Sequence, residues 1–243
     1  MSAASGSWEV PGGFTNTGLC AIDGVLAIGD FTNGKIVFSD IYGRALGGDI
    51  TLESSPANSV QGVAYDASDG TWWVCHYAAT NGTIRRYNAS GTLLQTLSPG
   101  LSVGGPNGCW YDAANDRILT AWNDDDLRGF DCTDGSLDET ITLAAGWIGA
   151  DAPDGVTSHP GDSTKLWVTA GSNKIAKIVR STGSVETSFT GSIDIESLAF
   201  VDGYLYINHD AQYHSSIPDG NRIHRYDITA QKPASIWVPW GNR

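Results

Sequence analysis

The sequence predicts an all-β protein, namely a five-bladed β-propeller with four antiparallel strands in each blade. Short β-branched and aromatic runs bounded by Gly, Asn, Asp and Ser occur along the chain, and no window of about 12 residues shows sustained helical periodicity. The 243 residues include 30 Gly, 9 Trp and 9 Tyr but only 1 Met, as is typical of a turn-rich β protein. A chain of this length buries a substantial core without disulfide bonds, and we expect one domain over residues 1-243.

The first strand of each repeat begins with a polar residue followed by a small one. The successive spacings between these small residues, which are Gly18, Gly62, Gly108, Gly155 and Ser197, are 44, 46, 47 and 42 residues. This is the period of a propeller blade. The predicted blades cover residues 14-59, 60-105, 106-152, 153-194 and 195-240.

The other strands of each repeat follow in a fixed order. The second strands are the most apolar and lie at 25–28, 71–74, 117–120, 165–168 and 204–207. Third strands are expected at 35–38, 83–87, 127–130, 174–178 and 222–226. The fourth strands at 92–97, 138–143 and 185–189 are more polar, as expected of an exposed edge.

Closure of the ring has two candidate strands. Residues 7–10 and 235–238 both have the pattern of an outer strand, and the last blade needs only one of them. We expect Trp8 to Val10 to lie against the C-terminal blade. The sequence leaves open whether this segment adds a strand or replaces one.

Charge and targeting signals exclude several function classes. The formal net charge is −13 with 14 Lys and Arg and no basic cluster, so no nucleic-acid partner is expected. The N-terminal residues lack the features of a signal peptide, and no apolar run reaches membrane-spanning length. We therefore expect no membrane insertion and a cytoplasmic or virion- or assembly-associated protein. The cysteines lack C-x-x-C spacing, and Cys20, Cys75 and Cys109 are expected to be buried thiols.

The polar residue before each small residue should lie at the mouth of the central channel. These five side chains all carry oxygen: Thr17, Gln61, Asn107, Asp154 and Glu196. The last two are carboxylates on neighbouring blades, and a hard cation such as Ca²⁺ takes about 6 to 8 oxygen ligands. The expected cofactor is therefore a divalent cation, with Ca²⁺ first, held by Asn107, Asp154 and Glu196. The alternative is that all five are ordinary turn residues around a water-filled mouth.

Loops between second and third strands should lie on the same face. They carry the polar residues Asp30, His76, Asn123, Asp124, Asp125, His209 and Asp210. His76 and His209 occupy matching positions in blades 2 and 5 and are candidates, with Asp154, for proton transfer. Asp30, Asn123 and Asp124 are candidate ligand contacts, although residues 123–125 also fit a solvated hairpin. The long loop from residue 210 to 221 is a candidate cover for the mouth.

Two tripeptides carry a resemblance to a known family. Pro106-Asn107-Gly108 and Pro153-Asp154-Gly155 resemble the metal-binding steps of the senescence-marker-protein/gluconolactonase (regucalcin-like) family, and the repeats resemble NHL-type propellers more loosely. The resemblance implies Asn107 and Asp154 as ligands of one divalent ion, with Asp154 near the water-activating role and Glu196 as an acidic ligand. The chain departs from that family in having five blades rather than six and in carrying Gln61 where a further Asn is expected.

Three functions remain open at this point. The first is a metal-dependent, lactonase-like hydrolase acting on a small-molecule ligand. The second is a non-enzymatic propeller that binds a glycan or a protein assembly partner, for example in a phage virion or surface assembly, with Trp237 and Trp240 as exposed aromatics. The third is a glycoside hydrolase that uses Asp154 and Glu196 as its two carboxylates.

Overall fold

The computed structural model describes residues 4–10, 16–171, 173–191, 195–209 and 221–228. In these residues the chain forms twenty strands and one short helix, arranged as five four-stranded antiparallel sheets that are the blades of a propeller. The predicted all-β, five-bladed fold is confirmed. No helix in the described ranges is long and apolar enough to cross a membrane.

The first three blades follow one another along the chain. Blade 1 contains β2 (Asn16–Ile22), β3 (Val25–Asp30), β4 (Lys35–Asp40) and β5 (Ile50–Thr51). Blade 2 contains β6 (Val60–Asp66), β7 (Thr71–His76), β8 (Thr83–Tyr87) and β9 (Leu93–Leu97). Blade 3 contains β10 (Cys109–Asp112), β11 (Arg117–Ala121), β12 (Asp126–Asp131) and β13 (Leu137–Thr142), and the helix α1 (Ala145–Ile148) follows it.

The last two blades complete the ring. Blade 4 contains β14 (Pro153–His159), β15 (Asp162–Ala170), β16 (Lys174–Val179) and β17 (Val185–Thr190). Blade 5 contains β18 (Ile195–Val201), β19 (Tyr204–His209) and β20 (Arg222–Asp227), and its fourth strand is β1 (Gly6–Glu9) from the start of the chain.

Ring closure therefore depends on the N-terminal strand. β1 pairs antiparallel with β20, from Gly6 opposite Arg225 to Glu9 opposite Arg222. Trp8 packs edge-on against Tyr206, with ring centroids 5.8 Å apart. Among the described residues this strand is the outermost one of blade 5, so residues 6–9 supply a fourth strand to the C-terminal blade. The competing segment, residues 235–238, lies outside the described residues, as do Trp237, Trp240 and the 210–220 part of the predicted covering loop.

The core is divided into five clusters, one between each pair of neighbouring blades. Trp72 belongs to the cluster between blades 1 and 2, whereas Trp73 belongs to the one between blades 2 and 3. Successive side chains of a strand point to opposite faces of the sheet. A second strand has a neighbouring blade on each face, so its side chains are buried on both sides. This explains why the second strands are the most apolar segments of the sequence.

Asp-Gly turns connect the first and second strands of blades 1 and 5. The connections Asp23-Gly24 in blade 1 and Asp202-Gly203 in blade 5 each contain two residues, all with positive φ between 47° and 89°. An Asp-Gly pair is a preferred sequence for this type of hairpin turn, because Gly and, to a lesser extent, Asp tolerate a left-handed backbone.

Candidate functional site in the central channel

The small residue of each repeat is required by close packing between blades. A Cβ atom on Gly62 would lie 2.5 Å from Asn107 O, and one on Gly108 would lie 2.5 Å from Asp154 O. Gly18 and Gly155 face the next blade in the same way, with backbone atoms of Val63 and Ser197 within 2.8 Å of the added Cβ. The inner strands therefore meet backbone to backbone at this level, and the regular Gly spacing in the sequence records that contact.

A β-bulge lies at the small residue of each repeat, whether it is a glycine or Ser197. The register between first and second strands shifts at Asn16/Leu19, Val60/Gly62, Pro153/Gly155 and Ile195/Leu198. In blade 3, Asn107 N donates to Ala121 O while Ala121 N donates to Gly108 O, so two residues again face one. Bulges of this kind redirect side chains locally. The polar residue before each small residue is placed by the bulge as well as by the strand.

Two hydrogen bonds between blades were not foreseen from the sequence. Thr169 Oγ1 in blade 4 donates to Glu196 O (3.0 Å), and Asn208 Nδ2 in blade 5 donates to Thr17 O (2.6 Å). Both donors are the second-to-last residue of a second strand, and both acceptors precede the small residue of the next blade. Asn208 also accepts from Ser197 N (2.6 Å). The sequence feature that could have indicated these bonds is a polar residue at the second-to-last position of a mostly apolar second strand.

Asn107 and Asn123 are brought together at the predicted mouth. Asn107 Nδ2 donates to Asn123 Oδ1 (2.7 Å) and to Pro153 O (3.3 Å). Because a backbone carbonyl can only accept, the atom of Asn107 that contacts Pro153 O is the amide nitrogen. Asn107 Oδ1 then has no hydrogen-bond partner within the described part of the chain. Asn107 is buried, whereas Asn123 is exposed.

Asp154 and Glu196 form an acidic pair on neighbouring inner strands. Burial raises the pKa of the Asp154 carboxyl well above its ordinary value of 3.8, and the negative charge of Glu196 raises it further. Asp151 acts in the same direction, while the backbone N–H of Gly171 opposes the shift. Two carboxylates close together share protons rather than both ionising freely. Asp154 is therefore held toward its protonated form.

The other predicted mouth residues have structural partners or are buried. Thr17 Oγ1 donates to Val60 O (2.5 Å), which joins blades 1 and 2, and Gln61 is buried in β6. Asp30 accepts from the backbone and side chain of Asn33 and so stabilises its own turn. Asp124 forms a two-pronged ion pair with Arg128 (2.6 and 2.9 Å).

His76 lies inside blade 2 with both ring nitrogens bonded. Ser59 Oγ donates its one proton to Pro56 O (2.7 Å), so His76 Nδ1 must donate to Ser59 Oγ (2.9 Å). His76 Nε2 then accepts from the Tyr87 hydroxyl (2.9 Å). Burial, with the nearby Arg85 charge, lowers the pKa of His76 to about 3. This arrangement is structural and leaves neither nitrogen for proton transfer.

His209 ends the second strand of blade 5, opposite the start of the first strand, and its ring contacts the third strand. It is in register with Ile195, the residue before Glu196, and its ring centroid is 4.2 Å from that of His224. His224 in turn contacts Ser7 of the N-terminal strand (3.3 Å). The predicted part of His209 in proton transfer stays a prediction.

The residues at the predicted channel mouth have the donor atoms that a hard cation prefers. Asp154, Glu196 and Asn107 Oδ1 are all oxygen donors, which is the donor set that Ca²⁺ prefers. Across the described ranges, no three His, Cys, Asp or Glu side chains cluster as a metal site would require, so the Asn107 amide would have to complete the set.

A cavity of about 520 Å³ opens at the other end of the channel. It is lined by the inner strands of all five blades, from the residues that follow the small residue of each repeat. Sequence reasoning placed its candidate site at the beginning of the inner strands and missed this space. The side chains that line it differ from blade to blade, so no repeat marks them in the sequence.

Comparison with known proteins supports the fold. No protein-family model matches the chain, and no curated protein matches it in sequence. Glutaminyl cyclase from Myxococcus xanthus is similar in structure, with a TM-score of 0.63 and 12% identity over 92% of this chain and 94% of that chain.

Two further solved structures are similar over only part of their own length. The Cps50 (Swd1) β-propeller domain of Myceliophteria thermophila has a TM-score of 0.50 and 11% identity over 84% of this chain and 65% of that one. The computationally designed Ika8 protein has a TM-score of 0.48 and 14% identity over 88% of this chain, which spans 58% of the designed one. At these identities the comparisons show a β-propeller and leave the regucalcin-like resemblance as a prediction.

Proposed function

We propose that the protein is a small-molecule hydrolase that acts on a lactone or a related ester. Its Asp154–Glu196 pair acts at the end of the central channel where the inner strands begin. The proposal is supported by the placement of Asp154 and Glu196 on the neighbouring inner strands β14 and β18, where burial and the charge of Glu196 raise the pKa of Asp154. A carboxyl group kept protonated beside an ionised one supplies both a general acid and a general base.

The chemistry assigns a separate task to each carboxyl. Glu196 accepts a proton from a water molecule as the water oxygen attacks the carbonyl carbon. The ring C–O bond of the lactone then breaks, and Asp154 gives its proton to the departing oxygen. Asn107, whose amide nitrogen is fixed by Asn123 and Pro153, offers Oδ1 as a hydrogen-bond acceptor for the substrate or water.

A divalent cation is compatible with the same residues. Asn107 Oδ1, Asp154 and Glu196 would hold it, and such an ion supplies Lewis-acid polarisation of a carbonyl and a more acidic water. Binding of a cation would also lower the pKa of Asp154, because the positive charge favours the carboxylate. Uptake of Ca²⁺ would therefore release protons, whereas the metal-free mechanism retains the proton on Asp154.

The structural neighbour suggests a second substrate class. Glutaminyl cyclase resembles this chain over nearly the full length of both. Cyclisation of a terminal glutaminyl group expels ammonia, and a protonated carboxyl such as that of Asp154 could supply the proton that the leaving group needs. The alternative functions, which are glycan binding, protein binding and glycoside hydrolysis, stay predictions.

The test compares the wild-type chain with Asp154→Asn and Glu196→Gln on a panel of lactones, aryl esters and a glutaminyl peptide, with and without Ca²⁺. We expect turnover of a lactone or ester that falls about 100-fold or more in each variant. Asp134→Asn, which changes an acid in an exposed turn of blade 3, should keep full activity. Calorimetry with Ca²⁺ in two buffers of different ionisation enthalpy reports any proton release. Absence of turnover on the whole panel, or full activity of both carboxyl variants, would overturn the proposal.

A further inference from the structure

Two cysteines from neighbouring blades meet between blades 2 and 3. Cys75 lies in β7, the second strand of blade 2, and Cys109 is the first residue of β10, the inner strand of blade 3. Both are buried and belong to the same hydrophobic cluster. Cα atoms of β7 and β10 come within 8 Å of each other. A disulfide requires its two Cα atoms to be no more than about 7 Å apart, so strands this close are candidates for one.

The missing side chain of Gly62 lets the two thiols approach. Cys75 lies directly opposite Gly62 in the ladder between β6 and β7. Side chains that are directly opposite in an antiparallel pair lie on the same face of the sheet. A Cβ on Gly62 would lie 3.0 Å from Cys109 Sγ, so the Cys109 thiol fills the space beside the Cys75 side chain. Cys109 Sγ also contacts Trp73 O (4.0 Å), two residues before Cys75.

The other two cysteines are placed elsewhere. Cys20 packs against the cluster between blades 1 and 2 rather than the one between blades 2 and 3. Cys132 follows Asp131, at the opposite end of the blade 3 ladder from Cys109. All four cysteines are free thiols in this structure. The packing therefore favours Cys75 and Cys109 as the pair that can bond.

The surroundings of the pair give the two thiols different tasks. Cys109 lines the cavity of about 520 Å³ in the channel, whereas Cys75 does not line it and is fully buried. Burial raises the pKa of Cys75 well above its ordinary value of 9.0, and the neighbouring Cys109 thiol raises it further. Cys75 is therefore a neutral thiol at pH 7, and a small oxidant that enters the cavity reaches Cys109 first.

We infer that Cys75 and Cys109 are a modification site at which a hydroperoxide forms a reversible disulfide between blades 2 and 3. Cys109 sulfur attacks one oxygen of hydrogen peroxide, which gives a sulfenic acid and one water molecule. Cys75 sulfur then attacks Cys109 sulfur, the S–S bond forms, the S–O bond breaks and a second water molecule leaves. Two thiols thus lose two electrons and two protons, and one peroxide becomes two water molecules. The inference does not depend on the proposed hydrolase activity.

Peptide mapping of the full chain tests this inference. Trypsin cleaves after Lys and Arg and leaves each cysteine in its own peptide, namely residues 1–35, 45–85, 87–117 and 129–165. The folded protein is treated with millimolar hydrogen peroxide, the remaining thiols are blocked with iodoacetamide, and the digest is analysed by mass spectrometry. We expect 45–85 joined to 87–117 as the main product, and dithiothreitol should separate them. A main product that joins any other two peptides, or no cross-link at all, would overturn the inference.

Matched variants assign the two tasks. Cys109→Ser should abolish the cross-link, whereas Cys132→Ser should retain it. Cys75→Ser should leave a sulfenic acid on Cys109 that dimedone traps, because the second thiol is missing. Melting temperatures show whether each variant is folded, and the map of the wild-type chain decides the pairing even if Cys75→Ser does not fold.

Oxidation of the chain in urea separates the effect of the fold from random pairing. In the unfolded chain we expect the preference for the pair Cys75 and Cys109 to disappear, since only the packing around Gly62 brings these thiols together. The same preference in folded and unfolded protein would contradict the inference.

Discussion

Asn208 Nδ2 donates a 2.6 Å hydrogen bond to Thr17 O, and this contact joins the last blade of the ring to the first. Asn208 Oδ1 accepts from Ser197 N (2.6 Å) within its own blade, so one buried amide fixes two backbone groups at the meeting point of the inner strands. The ring is closed here by hydrogen bonds in the centre as well as by β1 at the rim.

Replacement of Asn208 by Ala should lower the free energy of unfolding by about 2 to 4 kcal/mol, because a buried N–H and a buried carbonyl both lose their partner. Urea unfolding at pH 7 measures the change. Asn115→Ala, in an exposed turn where the amide bonds only to Asp112, should cost less than about 1 kcal/mol. Equal effects of the two substitutions would show that Asn208 does not hold the ring together.

Gly62→Ala should destabilise the fold by about 3 kcal/mol, because the new methyl group would lie 2.5 Å from Asn107 O and 2.9 Å from Cys109 N. Gly146→Ala is the matched control. A Cβ at Gly146 meets nothing within 4 Å, and this glycine lies in helix α1, where Ala is favoured. Melting temperatures of both variants check this. A Gly62→Ala protein as stable as Gly146→Ala would contradict the backbone contact between blades.

Trp8→Ala should weaken closure of the ring. Trp8 packs on Tyr206 and against the cluster between blades 5 and 1, and loss of this contact should cost about 2 kcal/mol. Leu94→Ala, which removes an exposed side chain, should have little effect. Hydrogen exchange of β20 amides should speed up in Trp8→Ala relative to the strands of blade 3. Uniform exchange in the two blades would show that β1 is not the closing element.

His76 should make the fold sensitive to acid. Its pKa is about 3 in the folded protein against an ordinary value of 6.5, so the unfolded chain binds the additional proton between these pH values. Stability should therefore fall as the pH drops below 6.5, by up to about 1.4 kcal/mol per pH unit. His76→Gln should flatten this slope in urea unfolding between pH 4 and 7. A variant with the slope of the wild type would place the acid sensitivity elsewhere.

The repeat was predictable because packing imposes it directly on the sequence. Gly62 and Gly108 must lack a Cβ wherever inner strands meet, so their spacing records the blade period. The role of Asn208 was not predictable in the same way. Its only sequence signal is a polar residue in a mostly apolar strand, and its partner is a backbone carbonyl in the next blade, which no sequence pattern identifies. The acidic pair Asp154 and Glu196 was predicted as neighbours on adjacent blades, and the raised pKa of Asp154 reflects that proximity.

Other features depend on three-dimensional context that no short stretch of sequence contains. His76 matches His209 in position, yet its bonds to Ser59 and Tyr87 come from residues 17 and 11 positions away, which gives it a structural environment. The cavity at the far end of the channel is lined by Tyr65 and Phe200, whose equivalents in blades 1 and 4 are the small residues Ala21 and Ser158. The lining of that cavity therefore depends on differences between repeats rather than on the repeat itself.

The raised pKa of Asp154 changes the pH dependence of stability in the opposite direction to the lowered pKa of His76. The folded protein retains a proton on Asp154 above pH 3.8, where the unfolded chain releases it, so this residue lowers stability as the pH rises through the interval up to its folded pKa. Asp154→Asn, which cannot ionise, should therefore be more stable than the wild-type chain at pH 7, with the difference shrinking toward pH 4. A difference that does not change with pH would contradict the shift.

The most direct measurement is an NMR titration of the side-chain carboxyl carbons in ¹³C-labelled protein, with the Asp154 signal assigned by its loss in Asp154→Asn. We predict that Asp154 titrates well above its ordinary value of 3.8 and that Glu196→Gln lowers its pKa, because the neighbouring negative charge is removed. An Asp154 pKa at or below 3.8, or one that Glu196→Gln leaves unchanged, would show that the two carboxyls do not share a proton and would contradict the proposed acid–base chemistry.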